Sequence, residues 1–282
     1  MLEATIVDAP LREATFAANR AMGRIALSVA AASGQSRRGR VHEAGSLRVR
    51  FPNTVDAAQL EAVMVNTAGG MAGGDHFDIE VDVGAGARLC LTSAAAEKVY
   101  RSLAPDTQVT VKLSAASGAT LAWLPQETIL FDRARLRRSI DLDLAQGASV
   151  LLAEGIVFGR SAMGEAVDCG HLFDRWRVRV GGELVFAETT RLDGKIAERL
   201  TKTAIANKGA AVASVLKVPG DEAAAAAIRA MQESFIGDVG VSAWNGLALA
   251  RLVAPDGATL RHDLIAVLTT WGAGTPPRLW LN

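Results

Sequence analysis

The sequence predicts a mainly β protein: a β-helix or solenoid of stacked strand modules, with about two α-helices in the C-terminal third. Three observations lead there. Three segments follow one plan, an alternating strand, a tight turn closing on Gly-Ala, and a second apolar strand: 77–83 with Gly86-Ala87 and 88–91, 108–113 with Gly118-Ala119 and 120–124, and 139–144 with Gly147-Ala148 and 149–152. The Gly-Ala pairs recur 32 and 29 residues apart, and a period near 30 built of strand, turn and strand is the signature of stacked β units. The clearest helical run, Ala-rich and preceded by Asp221, lies late, at 222–233. An array of this kind suits holding or conducting something along its length better than it suits a compact catalytic triad.

The elements follow in chain order. Residues 14–30 fit either a strand pair or an amphipathic helix. Segment 33–39, with two glycines and two arginines, reads as a turn or mobile loop. Leu47, Val49 and Phe51 alternate with Arg48 and Arg50, a half-buried strand stopped by Pro52. A short apolar strand at 62–65 leads into Asn66-Thr-Ala-Gly-Gly-Met-Ala-Gly-Gly-Asp75, and the three modules run on to about residue 160. Strands 175–180 and 183–186 joined by Gly181-Gly182 form a hairpin, a degraded fourth module. A strand at 212–218 precedes the 222–233 helix. Segment 247–253, the turn Pro255-Asp256-Gly257 and Leu260 suggest a further hairpin. A second helix at 263–271 ends at Gly272 and Pro276. No linker interrupts the chain, so 1–282 reads as one domain, with a solenoid core at about 45–195 and an α+β part at about 196–282.

Composition narrows the class of partner. The chain has 282 residues, half of them apolar, a mean hydropathy of +0.20 and zero net charge. Bulk charge therefore gives no reason to expect nucleic acid or an anionic membrane. Arginines cluster at 37, 38 and 40, and at 133, 135, 137 and 138, which reads as a solvated face or a docking surface. Two cysteines, Cys90 and Cys169, make no disulfide framework and point to a reducing compartment. No apolar run approaches 18 residues and the first residues do not read as a signal peptide, so the cytoplasm is expected. Ample apolar content without a spanning segment predicts a hydrophobic docking face.

The constellations that could carry chemistry are few. The four glycines Gly69, Gly70, Gly73 and Gly74 lack the following Lys-Ser/Thr and helix of a phosphate loop, so they read as a tight corner or close backbone approach. Asp75-His76 and Asp168-Cys169-Gly170-His171 supply too few ligands for a stable metal site. Glu127 and Asp132 follow the strand-breaking Pro125, and Glu154 holds a similar place in the next module. Carboxylates on an apolar wall need partners or water. They line a water-filled passage, act as paired acid and base groups, or pair with arginines such as Arg133 and Arg160. No nucleophile elbow, His-Glu-x-x-His or Cys-x-x-Cys is present, so no nucleophilic enzyme is expected.

Several ordered motifs resemble the urease accessory protein D family (UreD, called UreH in some species). They are the glycine-rich stretch ending in Asp75; Glu97-Lys-Val-Tyr-Arg-Ser102, with Tyr100 and Arg101; Trp123-Leu-Pro-Gln-Glu-Thr-Ile129, with Pro125 and Gln126; Glu154-Gly-Ile-Val-Phe-Gly-Arg160; and Leu192-Asp193-Gly194. The resemblance runs in order from about residue 45 to 195. The tail, with its late Trp280, is compatible with it. It implies a β-helix-like scaffold with no turnover of its own, which binds UreF directly and the GTPase UreG through the complex. Together they act on urease apoprotein and deliver nickel to its active site, within nitrogen metabolism. It also implies an internal tunnel as the nickel route, with no tightly bound cofactor and nickel held only transiently. On that basis Glu127, Asp132 and Glu154 are expected along the path, with Asp75 near one mouth. The glycines, Tyr100, Arg101, Pro125 and Gln126 are expected as structural or partner motifs. Two alternatives remain: a solenoid binding module without a metal, and a β-helix enzyme acting on polysaccharide, which the 5% aromatic content disfavours.

Overall fold

Alternation in the repeats decides which side chains meet. In strand β5 (His76–Val83) Phe77, Ile79, Val81 and Val83 are buried and their neighbours face outward. Strands β8 (Thr107–Ala115) and β11 (Arg135–Leu144) carry the same period-two pattern. The three pair in parallel, Phe77 beside Val109 and Val109 beside Arg138. The second strand of each module, β6 (Arg88–Ser93), β9 (Thr120–Leu124) and β12 (Ser149–Phe158), stacks in a second parallel sheet, Leu91 beside Trp123 beside Leu152. The turns between the sheets are near copies. Gly86, Gly118 and Gly147 take φ of 68°, 70° and 80°, a conformation a side chain disfavours, and the Ala after each is buried. The computed structural model, which describes residues 19–53, 56, 58–160, 163–272 and 276–281, is thus a two-sheet solenoid, mainly β as the repeats predict.

Flanking strands extend both sheets. Strands β1 (Met22–Ala32) and β2 (Gln35–Gly45) form a hairpin added to the first sheet beside β5. The strand reading of 14–30 therefore holds from residue 22, and residues 14–18 lie outside the described residues. Segment 33–39 is mostly strand: only Ser33 and Gly34 turn, both with positive φ. Strands β3 (Leu47–Arg50) and β4 (Leu60–Asn66) begin the second sheet, and short β7 (Glu97–Val99) and β10 (Thr128–Leu130) pair beside β12. At the far end β13 (Gly170–Val180) enters the first sheet in parallel with β11. The chain then turns back as β14 (Glu183–Gly194) instead of crossing, so the fourth module is half formed.

The rest of the chain builds on the second sheet. A one-turn helix α1 (Ile196–Leu200) leads to β15 (Ala211–Val218), antiparallel to β12. Helix α2 (Glu222–Arg229) is capped by Asp221, whose carboxylate accepts from the Ala224 amide at 2.8 Å. The late hairpin is β16 (Asp238–Trp244) with β17 (Leu247–Ala254), turned by Asn245-Gly246 at φ of 47° and 74°. The expected turn at 255–257 is instead a helix start: Asp256 accepts from the Thr259 amide at 2.8 Å and α3 runs Gly257–Gly272. Two cores result. One fills the space between the sheets; the other lies between the outer face of the second sheet and α2, α3 and the segment carrying Trp280.

Candidate functional site

Among the inward positions of β11 and β13 from Leu136 and Leu172 onward, one rung is charged. On β11 the inward positions are Leu136, Arg138, Ile140, Leu142 and Leu144, and on β13 Leu172, Asp174, Trp176 and Val178. Register places Arg138 beside Asp174, and from the opposite sheet Glu154 completes the cluster. Arg138 Nε donates to Asp174 Oδ1 at 3.0 Å and Nη2 to Oδ2 at 2.6 Å, a bidentate pair. Its Nη1 donates to Glu154 Oε2, while the Trp123 indole N–H donates to Oε1 at 2.8 Å. All three charged residues are under a tenth exposed. Burial works against the charge on Arg138, but Asp174 and Glu154 outweigh it and hold the guanidinium above its ordinary value. Burial also pushes the Glu154 carboxyl up, opposed by Arg138 and the Trp123 N–H. Two carboxylates facing one guanidinium leave an acidic surplus in a low-dielectric interior.

This cluster divides the interior. On one side lies a cavity of about 180 Å³, walled by Arg138, Glu154 and Asp174 and reaching Glu188, Thr190 and Arg251 near the end of the solenoid. There Arg251 grips Glu188 with two bonds of 2.8 Å, tying β17 to β14 across the two sheets. On the other side a cavity of about 70 Å³ is also walled by Arg138 and Glu154, and includes Asn66, Ser93, Glu97 and Gln126. Burial raises the Glu97 carboxyl, with the Asn66 amide, bonded at 3.1 Å, pulling it back.

The residues expected to act together are separated. Trp123 pairs with Leu152, but Thr128 pairs with Ile156, so one extra residue lies between Trp123 and Thr128. That slip turns Glu127 to the opposite face from Glu154. Glu127 meets Arg261 of α3, with Nε to Oε1 at 3.0 Å and Nη2 to Oε2 at 2.5 Å. Glu127 and Glu154 thus face opposite sides of the second sheet, each with its own arginine. Asp132 accepts from the Cys169 amide at 3.1 Å and lies 3.6 Å from Arg133, in the return loops outside both cavities. Asp75 is buried; its carboxylate accepts from the Ala21 amide at 2.9 Å and the Ala72 amide at 2.7 Å, fixing the glycine-rich loop to the start of β1. It lines neither cavity. Arginine pairing therefore describes Glu127 and Glu154, through Arg261 and Arg138; Arg160 serves Glu165 instead. Among the described residues no three His, Cys, Asp or Glu side chains converge to hold a metal, and His171 meets Asp193 at 3.2 Å.

The motif residues form a stack across the return loops. The Tyr100 hydroxyl donates to the Gly69 carbonyl at 3.0 Å, its ring meets Phe131 edge-on at 5.1 Å, and the Arg160 guanidinium lies 4.2 Å from the Phe131 ring centre. A Cβ on Gly70 would sit 2.5 Å from the Tyr100 ring and one on Gly73 1.8 Å from the Ser102 hydroxyl, so close approach accounts for both glycines.

Over residues 21–281 the sequence matches the family described as UreD urease accessory protein. The chain belongs to the UreD family. It is 56% identical over 269 residues to the urease accessory protein UreD of Rhodopseudomonas palustris (strain BisB18), covering 95% of this chain and 97% of that one. It is 55% identical over 267 residues to UreD of Bradyrhizobium diazoefficiens, covering 95% and 96%. The UreD match includes the segment with Trp280, beyond the 45–195 stretch that carried the motifs. Among the described residues no helix is long and apolar enough to cross a membrane.

Proposed function

We propose that this UreD chain is a non-catalytic scaffold of urease maturation. It binds UreF directly and UreG through the complex, meets urease apoprotein in the cytoplasm, and passes nickel through its interior as cargo held only transiently. One observation carries the passage: two cavities share Arg138 and Glu154 as a common wall, with Asp174 on the side of the larger one. The donors along this line, Glu97, Glu154, Asp174 and Glu188, are carboxylates spaced apart, so a divalent ion finds a weak oxygen stop at each and moves on. Arg138 occupies the two central carboxylates at rest. A divalent cation takes its place by bringing two charges where the guanidinium brings one, and Arg138 returns when the ion leaves. In this reading the path includes Glu154 and takes Glu97, Asp174 and Glu188 in place of Glu127, Asp132 and Asp75.

The test is nickel content and activity of urease in cells lacking this chain and re-expressing it as wild type, Glu154→Gln or Glu97→Gln. Wild type is expected to restore both, and the variants to leave urease present, bound in the complex and nickel-poor. Full nickel loading by both variants overturns the passage. Nickel loading that never needed the chain overturns the maturation role.

A further inference from the structure

The second sheet has a break. Strands β6 and β9 end at Ser93 and Leu124, and β7 and β10 resume at Glu97 and Thr128. Between them the ladder keeps one backbone bond, the Glu97 amide to the Glu127 carbonyl at 2.9 Å, and side chains supply the rest: the Gln126 amide donates to the Ser93 hydroxyl at 2.9 Å and Gln126 Nε2 to the Ser93 carbonyl at 3.2 Å. Ser93, Gln126 and Glu97 line the smaller cavity from within. From outside, the break is covered by residues 276–281. Trp280, 1% exposed, donates its indole N–H to the Leu124 carbonyl at 3.0 Å and the Thr92 hydroxyl at 3.2 Å. Gln126 Nε2 also reaches the Leu279 carbonyl at 3.3 Å, so one side chain touches both the cavity and its cover. Arg261 fastens the edge: it holds Gln126 Oε1 at 2.9 Å and the Glu127 carboxylate, and its guanidinium lies 5.5 Å from the Trp280 ring centre.

We infer that the break at Ser93–Glu97 and Pro125–Glu127 is a side opening of the smaller cavity, which residues 276–281 cover and Arg261 latches. The cover has the properties of a removable one. It joins no strand ladder; beyond the buried Pro276 and Pro277, Trp280 is the one buried residue of 278–281, and every hydrogen bond it makes across the break involves a side chain. The groups beneath it are polar, and therefore wettable once uncovered. Sequence shows two parts of this device, the Pro-Gln pair that interrupts β9 and the late Trp280, without showing that they meet. That a cation uses the opening rests on the passage proposed above; the opening itself does not.

A thiol inside the cavity reads it directly. Met64, on β4, lines the cavity and is buried. In a Cys90→Ala, Cys169→Ser background, Met64→Cys supplies the only thiol, and a small cationic methanethiosulfonate is the probe. The full chain is expected to react slowly. A chain ending at Pro277 is expected to react at least ten-fold faster, and Arg261→Gln several-fold faster, with circular dichroism spectra unchanged. An unchanged rate in the shortened chain overturns the opening. If the shortened chain loses its native spectrum, Arg261→Gln decides in the same way. Nickel content of urease matured with the shortened chain separates the two readings: faster labelling with unaltered loading keeps the opening and removes cation passage through it.

Discussion

Arg138 satisfies two buried carboxylates with one guanidinium, so the cluster tolerates removal of its centre poorly. Arg138→Met leaves Glu154 and Asp174 facing each other without a cation, a loss on the order of 3–5 kcal/mol. Replacing all three with apolar residues of similar volume is expected to recover most of it, because buried ion pairs return little beyond their own desolvation. Urea unfolding of the two variants checks this; equal stabilities would show that the three side chains do not act as a unit. Glu97 gives a pH signature. Burial raises its folded pKa above the ordinary value of 4.5, with Asn66 and Lys98 opposing. The folded chain therefore binds the extra proton, and the resulting stability is complete below the unfolded value and lost as pH rises through the folded one. Glu97→Gln, neutral throughout, is expected to be more stable than wild type at pH 7, with the gap closing toward pH 4. Urea midpoints across that range measure it, and a gap that widened toward acid would reverse the sign. Arg138 itself was legible in part: Leu136-Arg-Arg-Ser-Ile140 already alternates. Starting the strand at Ser139 leaves Arg138 among the surface arginines, whereas extending the alternation back three residues turns it inward.

At the scale of elements, local chemistry decided what the repeat did not. The three modules were readable because strand period and Gly-Ala turn agree in each. The late hairpin turns at Asn245-Gly246, a strong two-residue turn signal, and not at Pro255-Asp256-Gly257, where Asp256 is a helix cap. The one-residue slip between Trp123 and Thr128 has no marker in the sequence beyond Pro125, and it alone sends Glu127 to the helices and leaves Glu154 inside. Caps and glycines at this scale have calculable effects. Asp221→Ala is expected to lower stability by about 1 kcal/mol through loss of the Ala224 bond. Gly69 has φ of 76° and open space around it, so Gly69→Ala costs about 1 kcal/mol of backbone strain. Gly73→Ala is expected to cost more, since its Cβ also meets the Pro105 carbonyl at 2.6 Å, a backbone atom that cannot swing aside. Thermal melts of the two glycine variants test the order, and a milder Gly73→Ala would mean that the loop shifts freely.

For the whole molecule, the second sheet is the shared wall of both cores. Strand β12 is buried along nearly all its length because one face closes the interior and the other carries the helical layer. Strands β15, β17 and β16 continue that sheet, so the α+β part has no separate foundation. Losing either core exposes apolar surface of the same strands, which couples the two halves energetically. Equilibrium urea unfolding is accordingly expected to be a single transition. The buried tryptophans allow a local check. Trp123 reports the interior, Trp271 and Trp280 the outer core. Trp→Phe variants that isolate fluorescence from one core or the other should give midpoints that coincide with each other and with circular dichroism. Two separated midpoints would mean that the solenoid stands without the helical layer. The cover over the side opening would then be free to open with that layer, not at residues 276–281 alone.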